Sequence, residues 1–212
     1  METTVEITTA KPIKGKNIFY FIQSVDAELG SKAILPAYRT DGTTKLGGDF
    51  IDEQTQQGRV LEKATDEHSI DLTSYYTPKD KAIEIVEIAK TTGKSVKVWR
   101  VIADESLKEK GSGTLEGKEV YPAKFGYGKI DEIEYSEGVE KLVEASYTLN
   151  IIDSLKDGKF PLTAEDIALL TSVYAYQNPG ETTGDYDNIQ KKKFQEVYRE
   201  QFQGYHQKDT NL

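Results

Sequence analysis

The chain has 212 residues, no cysteine and a formal net charge of −9, from 36 acidic and 27 basic side chains. The missing cysteines exclude disulfides and thiolate metal sites, and the acidic balance argues against a protein that grips nucleic acid through its phosphates. The N-terminus has no basic start followed by an apolar run, and no segment approaches the roughly 18 apolar residues that a membrane span needs. We therefore expect a protein that is made and used without export and without a membrane.

The first part of the chain is expected to form mainly strands. Residues 17–23 and 68–76 are rich in β-branched and aromatic side chains, and residues 34–40 form a further strand that its proline limits to an edge or a bulge. Glycines and small polar residues predict a long loop over residues 41–49. The polar stretch 50–64, which has a glycine in its middle, predicts an extended strand pair or one bent strand.

One helix is clear from its boundary residues. Thr77 can cap the first helix amides, Pro78 suits the first helical position, and Asp80 completes a capping-box-like pattern three residues after the threonine. Gly93 supplies the stop. The sequence therefore predicts a helix over residues 78–92, whose apolar stripe can lie on a sheet.

A long hairpin is the strongest β signal in the chain. Residues 94–103 predict a strand, and residues 104–119 predict an exposed loop because they are charged and glycine-bearing. Residues 120–135 and 139–152 then flank the short turn 136–138. Two long strands around a turn that contains glycine predict an antiparallel hairpin.

The second strand of this hairpin alternates with a period of two. One set of positions is mainly apolar, whereas the other set includes Ser146, Thr148 and Asn150. The strand covers about 13 residues, against a usual length of about five or six. We expect one of its faces to be packed and the other to be wet. The expected core residues are Ile83, Val86, Val98, Trp99, Tyr147 and Leu149.

Composition divides the chain into an arm, a β domain and an extension. We expect an N-terminal arm over residues 1–16, a β domain over residues 17–160 and a helical C-terminal extension over residues 161–212. Within the extension, residues 178–188 are linker-like. Residues 188–207 place apolar side chains at helical spacing and lean towards positive charge, which predicts a terminal helix that binds a partner.

No residue pattern in the chain predicts catalysis. The two histidines, His68 and His206, have no catalytic signature around them, and the glycine-bearing loops lack the ending of a phosphate loop. Carboxylates could still converge in the fold, as in glycosidases, although a solvated face explains their alternating positions more simply. Trp99 could be a ligand platform, but a tryptophan in a strand more commonly packs. We therefore predict no enzyme, no cofactor and no metal site.

Three blocks, taken in order, carry a resemblance to a known family. They are GRVLEKATDEHSIDLTSYYTPKD, GKSVKVWRV and YPAKFGYGKIDEIEYSEGVEKLVEASYTLNIIDSLKDGKFPLT, which together cover roughly residues 50–163. In their order and spacing, and in the single helix between TSYY and KVWRV, they resemble the major tail proteins, or tail tube proteins, of long noncontractile-tailed phages of lactococci and related Gram-positive bacteria.

The resemblance implies a fold, a function and a set of partners. The fold would be mainly β, a tail-tube-type β-sandwich or partly open barrel with one flanking α-helix. The chain would be a structural virion protein whose copies form hexameric rings, and the rings would stack into a conduit for phage DNA. Its partners would be itself, the tape measure, tail terminator and distal tail proteins, and passing DNA without specific binding. Assembly would take place in the host cytoplasm, with no membrane involved.

On this resemblance the half-polar hairpin is a wall between a protein core and a watery channel. An acidic or neutral lining avoids the ion pairs with phosphate that would trap passing DNA. The alternative for each polar residue is an ordinary solvated outer face. The candidates for the lumen face are Glu132, Glu134, Glu144, Ser146, Thr148 and Asn150.

Ring assembly also needs open sheet edges to be covered. The N-terminal arm and the loop after residue 40 suit this task, because both are poor in apolar residues and rich in threonine and glycine. The alternative is that they stay disordered. The candidates for inter-subunit or inter-ring contact are Asp41, Gly42, Thr43, Thr44, Lys45, Leu46, Gly47 and Gly48.

Two other functions compete with the tube. An enzyme would need carboxylates that converge in a pocket and have perturbed pKa values. A monomeric carbohydrate- or host-binding β-sandwich module would also explain the 13 tyrosines. In such a module the tyrosines should cluster on loops. Here several of them lie in predicted strands and so favour packing, namely Tyr20, Tyr75, Tyr135 and Tyr147.

Overall fold

The structure is a computed structural model, and it describes residues 10–163 together with residues 166, 167 and 170. The described residues up to position 163 belong to one compact unit. Within the predicted N-terminal arm, the described residues are exposed. The predicted linker and terminal helix of the C-terminal extension lie outside the described residues, as does His206.

The first three strands include a long hairpin. β1 spans Ile18–Ser24, β2 spans Arg39–Thr55 and β3 spans Gly58–Tyr75. β2 and β3 pair antiparallel over nearly their whole lengths, with irregularities after Arg39 and Gly48. The strand pair predicted over the polar stretch that follows position 49 is confirmed, and it is the outer part of this hairpin.

Two expectations for this region are wrong. The predicted loop over residues 41–49 is part of β2, because β3 supplies backbone hydrogen-bond partners that override the turn preference of its glycines. The predicted strand over residues 34–40 is interrupted: Ile34 makes an isolated bridge to Ile22, residues 37–38 form a turn, and a strand resumes only where β2 begins. Pro36 lacks the amide that a strand ladder needs, which explains the break.

Helix α1 spans Lys81–Thr92 and ends, as predicted, at a glycine in the left-handed conformation. It begins later than predicted, because Lys79 has a positive φ of 66° and the chain is therefore not helical there. The cap is Asp80 and not Thr77. The Asp80 carboxylate accepts a hydrogen bond from the Ala82 amide at 2.9 Å.

The second half of the unit adds five strands. β4 spans Val96–Ile102, β5 spans Glu109–Lys110, β6 spans Glu119–Ser136, β7 spans Glu144–Ile151 and β8 spans Lys156–Pro161. The predicted exposed loop between β4 and β6 contains the short β5 and two single 3-10 turns. β6 and β7 pair antiparallel, which confirms the predicted hairpin.

The turn of this hairpin is longer, and its second strand shorter, than predicted. Residues 137–143 form the connection, in which the Lys141 amide donates to the Gly138 carbonyl at 3.0 Å. Val139 and Leu142 are exposed there, so the period-two pattern of this stretch does not reflect a strand. β7 itself keeps the predicted parity and buries Ala145, Tyr147, Leu149 and Ile151.

All the strands join one antiparallel sheet in the order β1-β4-β6-β7-β3-β2, with β5 and β8 also paired to β6. The mainly β fold with one flanking helix is therefore confirmed. β8 and β7 pair with successive stretches of the long strand β6, so β6 runs through both halves of the sheet. The cluster of buried residues between α1 and the sheet includes Ile83, Val86, Val98, Tyr147 and Leu149.

Trp99, also expected in the core, lies outside that cluster. It is half-buried on the opposite face of β4, where its ring centroid is 5.1 Å from that of Phe125 and 6.1 Å from that of Phe160. Phe160 also stacks on Phe21, with 4.9 Å between the centroids. β4 is packed on both faces, so alternation alone could not tell the helix-covered face from this aromatic one.

Asp80 should contribute more to stability than the predicted cap. Its carboxylate also accepts a bond from the Ala37 amide at 3.1 Å, so Asp80→Ala should lower the free energy of unfolding by about 1–2 kcal/mol. Burial raises the pKa of Asp80, because the ionised carboxylate is less stable away from water than in it. Asp80→Asn removes that cost, keeps the bond from Ala82 and should be milder.

The matched control is Thr77→Ala, which should change the free energy of unfolding by less than about 0.5 kcal/mol. Chemical denaturation at neutral pH measures all three variants. A loss for Thr77→Ala as large as that for Asp80→Ala would contradict the observed cap.

Candidate functional site

Four neighbouring strands, β6, β7, β3 and β2, present a polar face opposite the core. The register places Ser146 between Glu134 and Thr73, and the next outward position of β7, Thr148, beside Asp71. Asn150 follows on the same face and is exposed. The polar face is thus the counterpart of the buried row on β7, since successive side chains of a strand point to opposite faces.

Two further candidates lie at special positions on this surface. Glu144 stands at the end of the four strands, where it pairs with Tyr75 on one side and with Ser136 on the other. Glu132 lies in a bulge, because β6 places both Asp131 and Glu132 where β7 has a single residue. The structure therefore brings the six lumen candidates to one surface of the sheet.

A hydrogen-bonded network ties the strands together across the polar face. Thr148 Oγ1 donates to Asp71 Oδ1 at 2.7 Å, and the hydroxyls of Thr73 and Ser146 lie 3.0 Å apart. Lys45 Nζ lies 2.8 Å from Asp71 Oδ2. The Lys45 ammonium, with help from the Thr148 hydroxyl, holds the pKa of Asp71 below its usual range.

Sequence reasoning missed Asp71 and Thr73 as members of this site. Both belong to the outward set of the alternation in residues 68–76, so the parity signal that selected residues of β7 was available for them too. What the pattern lacked was the pairing of β3 with β7, which joins segments that are far apart in sequence.

The bulge in β6 opens a groove of about 270 Å³ on the polar face. Its lining includes four carboxylates, and no lysine or arginine is among its lining residues. The carboxylates belong to Asp71, Asp131, Glu132 and Glu134. This part of the surface is therefore acidic and wet, and it repels other anions.

Both borders of the four-strand polar surface are open sheet edges. Within the described part of the chain, β2 pairs with β3 alone, and residues 129–136 of β6 pair with β7 alone. The candidates of residues 41–48 lie along the first of these edges. Gly47 is needed there because a Cβ would come within 2.9 Å of the Glu67 carbonyl oxygen. Each open edge carries unpaired backbone donors and acceptors.

Beyond the last β3–β7 pair, β2 and β3 continue as a two-stranded ribbon, residues 46–68. Its base is held by His68, whose Nδ1 accepts a hydrogen bond from the Leu155 amide at 2.9 Å. His68 thus has a structural contact, as expected for a histidine without a catalytic signature. Most of the ribbon is exposed.

Two other features are absent from the described residues, a metal-binding cluster and a membrane-spanning helix. They contain no group of three or more acidic or histidine side chains placed to hold a metal ion. None of the helices within this part of the chain is long enough and apolar enough to cross a membrane.

The family model of phage tail tube proteins matches residues 12–156. The chain belongs to the phage tail tube protein family. It is 37% identical, over 175 residues, to the tail tube protein gp17.1* of Bacillus phage SPP1, an alignment that covers 82% of this chain. The chain spans 62% of the length of that relative. The resemblance seen in the sequence is therefore confirmed.

Solved structures agree with this assignment. The structure of the SPP1 tail tube matches with a TM-score of 0.59 and 32% identity, over 82% of this chain and 96% of that one. The tail of an empty gene transfer agent particle matches with a TM-score of 0.50 and 14% identity, over 68% and 98% of the two chains, and shows the fold alone. The expected tail-tube-type fold is thus confirmed.

The pKa of Asp71 should depend more strongly on Lys45 than on Thr148. Lys45→Met should raise the pKa of Asp71 the most, because the ammonium is the main cause of its lowering. Thr148→Val should raise it less, because it removes one neutral hydrogen bond. Titration of the Asp71 side-chain carbonyl by NMR measures both shifts, and a larger shift for Thr148→Val would contradict the role given to Lys45.

Proposed function

We propose that this chain is the major tail tube subunit of a phage virion, and that its copies form stacked rings around a conduit for DNA. The observation that carries the proposal is an acidic, hydrogen-bonded face bounded by two open edges on a chain of the tail tube family. In a monomer, two such edges would leave backbone groups unpaired and free to pair with the strands of other chains. In a closed ring both are covered.

The ring closes when the β2 edge of one copy, at residues 41–48, meets the β6 edge of the next, at residues 129–136. Each copy then adds four strands to a shared barrel. If the ring has six copies, as the sequence resemblance implied, roughly 24 strands about 4.8 Å apart and tilted by about 40° give a barrel roughly 48 Å across at the backbone. Side chains on the inner face leave a bore wide enough for duplex DNA.

The polar face suits the lining of such a bore. Its carboxylates repel phosphate. The register places two lysines of β2 and β6 in one row of this face: Lys45 is paired with Asp71, and Lys129, opposite Asn150, donates to the Gly93 carbonyl. DNA that moves past this surface forms few ion pairs with it, so few counterions leave the DNA and the DNA is not trapped. Glu132, Glu134, Glu144, Ser146, Thr148 and Asn150 are therefore assigned to the lumen.

The remaining partners follow from the position of a tube in a tail. The chain acts in the virion as a structural subunit and not as an enzyme. A tape measure protein occupies the same bore before DNA does, and terminator and distal tail proteins cover the two ends of the tube. A monomeric carbohydrate-binding module, the other reading of the sequence, gains no support from the family match.

Electron microscopy of the concentrated, purified protein tests the assembly. Negative stain should show rings or tubes, because the open edges are satisfied only by other copies. Particles that stay monomeric at high concentration would contradict the tube and favour the binding module.

Reversing the charge of the lining should slow DNA. Glu134→Lys with Thr148→Lys adds two ammonium groups and removes one carboxylate per copy on the polar face, so phage carrying this variant should eject DNA more slowly, and less so at high salt. The matched control is Glu116→Lys with Thr114→Lys, the same charge change on the exposed loop before β6.

Ejection is followed by the fluorescence of a dye that binds the released DNA. Both variants must first show tails of normal length by microscopy. Equal slowing in both variants, or normal ejection in the first, would contradict the assignment of the polar face to the lumen.

A further inference from the structure

Rows of paired residues cross the polar face from the β6 edge to the β2 edge. Through β7 and β3, one such row joins Glu134 to Asp41, and another joins Lys129 to Lys45. If the rows ran on unchanged into the next copy of a ring, Glu134 would meet Asp41 and Lys129 would meet Lys45. Like charges directly opposite each other destabilise a strand pair, so the unchanged register is disfavoured in this chain.

A closed barrel requires a displacement of these rows in any case. Its strands tilt by about 35–45° from the barrel axis, and neighbouring strands lie about 4.8 Å apart. Over the four strands of one copy, at about 3.3 Å per residue, this tilt displaces the pairing by about four to six residues. Side chains alternate between the two faces, so only an even displacement, about four or about six residues, joins the polar faces of adjacent copies.

The extent of β2 fixes the direction of the displacement. Ile133 shares a row with Gly42, and β2 begins at Arg39. A displacement away from the ribbon by about four residues would set Ile133 opposite Tyr38, in the turn that precedes β2. A displacement towards the ribbon keeps the whole open edge of β6 opposite β2. The rows therefore move towards the ribbon.

Opposite charges meet on the polar face when the displacement is about four residues. At the seam, the contact of the β6 edge of one copy with the β2 edge of the next, Glu134 then lies opposite Lys45. Lys129 lies opposite Asp49, with the bulge in β6 counted on this edge as on the β7 edge. The larger displacement places Glu134 opposite Gly47 and forms neither pair. Opposite charges on paired strands stabilise the pairing, so the smaller displacement is favoured.

The core side of the same seam gains an apolar pair. Leu46 belongs to the core-facing set of β2, which includes Thr44, whose hydroxyl lies 3.0 Å from that of Tyr20. In the free chain Leu46 is 57% exposed. The smaller displacement sets it opposite Ile133 of the adjacent copy, a residue that packs against the buried cluster between α1 and the sheet. The apolar core of one copy then continues into the next.

We infer that the copies of a ring pair with a displacement of about four residues towards the ribbon, and that Lys45 selects this register by contacting Glu134 of the adjacent copy. The inference rests on the proposed function, since it takes the β2 and β6 edges to meet in a ring. Lys45 keeps its ion pair with Asp71, because an ammonium group has three donors and this side chain is 64% exposed in the free chain. A residue of the lining thus also fixes how neighbouring copies align.

Engineered disulfides read this register directly, because the chain has no cysteine. Ser136→Cys is combined with Thr43→Cys, and the protein is assembled into tubes under reducing conditions and then oxidised. In the inferred register these two positions lie directly opposite each other at the seam, so denaturing electrophoresis should show covalent multimers. Within one copy they lie on the outer strands of four, at least about 14 Å apart, which no disulfide spans.

Two matched pairs move one cysteine along the same face of β2. Ser136→Cys with Asp41→Cys reports a smaller displacement, and Ser136→Cys with Lys45→Cys reports a larger one. Both should crosslink at least about tenfold more slowly than the pair with Thr43→Cys. Faster crosslinking of either control pair, or no crosslinking of any pair in well-formed tubes, overturns the inference and leaves the proposed function intact. Failure of the unsubstituted chain to form tubes overturns the proposed function, and this inference falls with it.

A double-mutant cycle tests the contact of Lys45 with Glu134. Lys45→Gln and Glu134→Gln should each raise the protein concentration needed for tubes by about threefold, because each removes the same ion pair at every seam. The double variant should then also need only about threefold more, whereas independent losses would multiply to about ninefold. A rise of that larger size overturns the contact.

The matched control replaces Glu144, which lies on β7 and therefore one strand beyond the seam. Lys45→Gln and Glu144→Gln should act independently, so that the double variant reaches the product of the two single effects within about twofold. Coupling as large as that of the first cycle would show a general effect of charge and would also contradict the contact of Lys45 with Glu134.

Discussion

The register of β7 between β6 and β3 is the constraint on which the rest of the structure depends. It decides that Tyr147 and Leu149 enter the core while Ser146 and Thr148 meet water. A slip of one residue would exchange the two sets, burying polar groups and exposing the core row. The hydroxyl pair of Thr73 and Ser146 and the bulge in β6 both hold this register. The core and the polar face are therefore specified together.

Much of this could be predicted from the sequence where a local pattern is decisive. The parity of β7 and the glycine at the end of α1 were both visible, because alternation and a left-handed stop need no tertiary partner. The predicted loop over residues 41–49 failed because its glycines signal a turn, whereas their backbone is paired with β3. The cap failed for a similar reason. The positive φ of Lys79 moves the cap to Asp80 and the first helical residue to Lys81.

The sequence predicted which side chains lie on the polar face, but it did not predict the hydrogen bonds and the ion pair that join them. Single-strand parity selected Ser146 and Thr148, but it could not show that Asp71, 77 positions away from Thr148, would lie within hydrogen-bond distance. The neutralisation of Lys45 depends on the same long-range pairing. The net charge of −9 is compatible with an acidic surface. The strand register decides that Lys45 lies beside Asp71 and forms an ion pair with it.

The same polar surface solves two problems at different stages. In a free copy, the carboxylates and the bulge along the β6 edge discourage pairing with the wrong strand, because bringing two such edges together desolvates like charges. In the proposed ring, the partner is the β2 edge, where glycine and threonine dominate and Lys45 is already paired with Asp71. The β6 edge is acidic, whereas the β2 edge carries small side chains and little net charge. This difference favours pairing of β6 with β2 over pairing of two β6 edges. On the proposed assembly, one asymmetry between β6 and β2 therefore serves both the protection of the free subunit and the closure of the barrel.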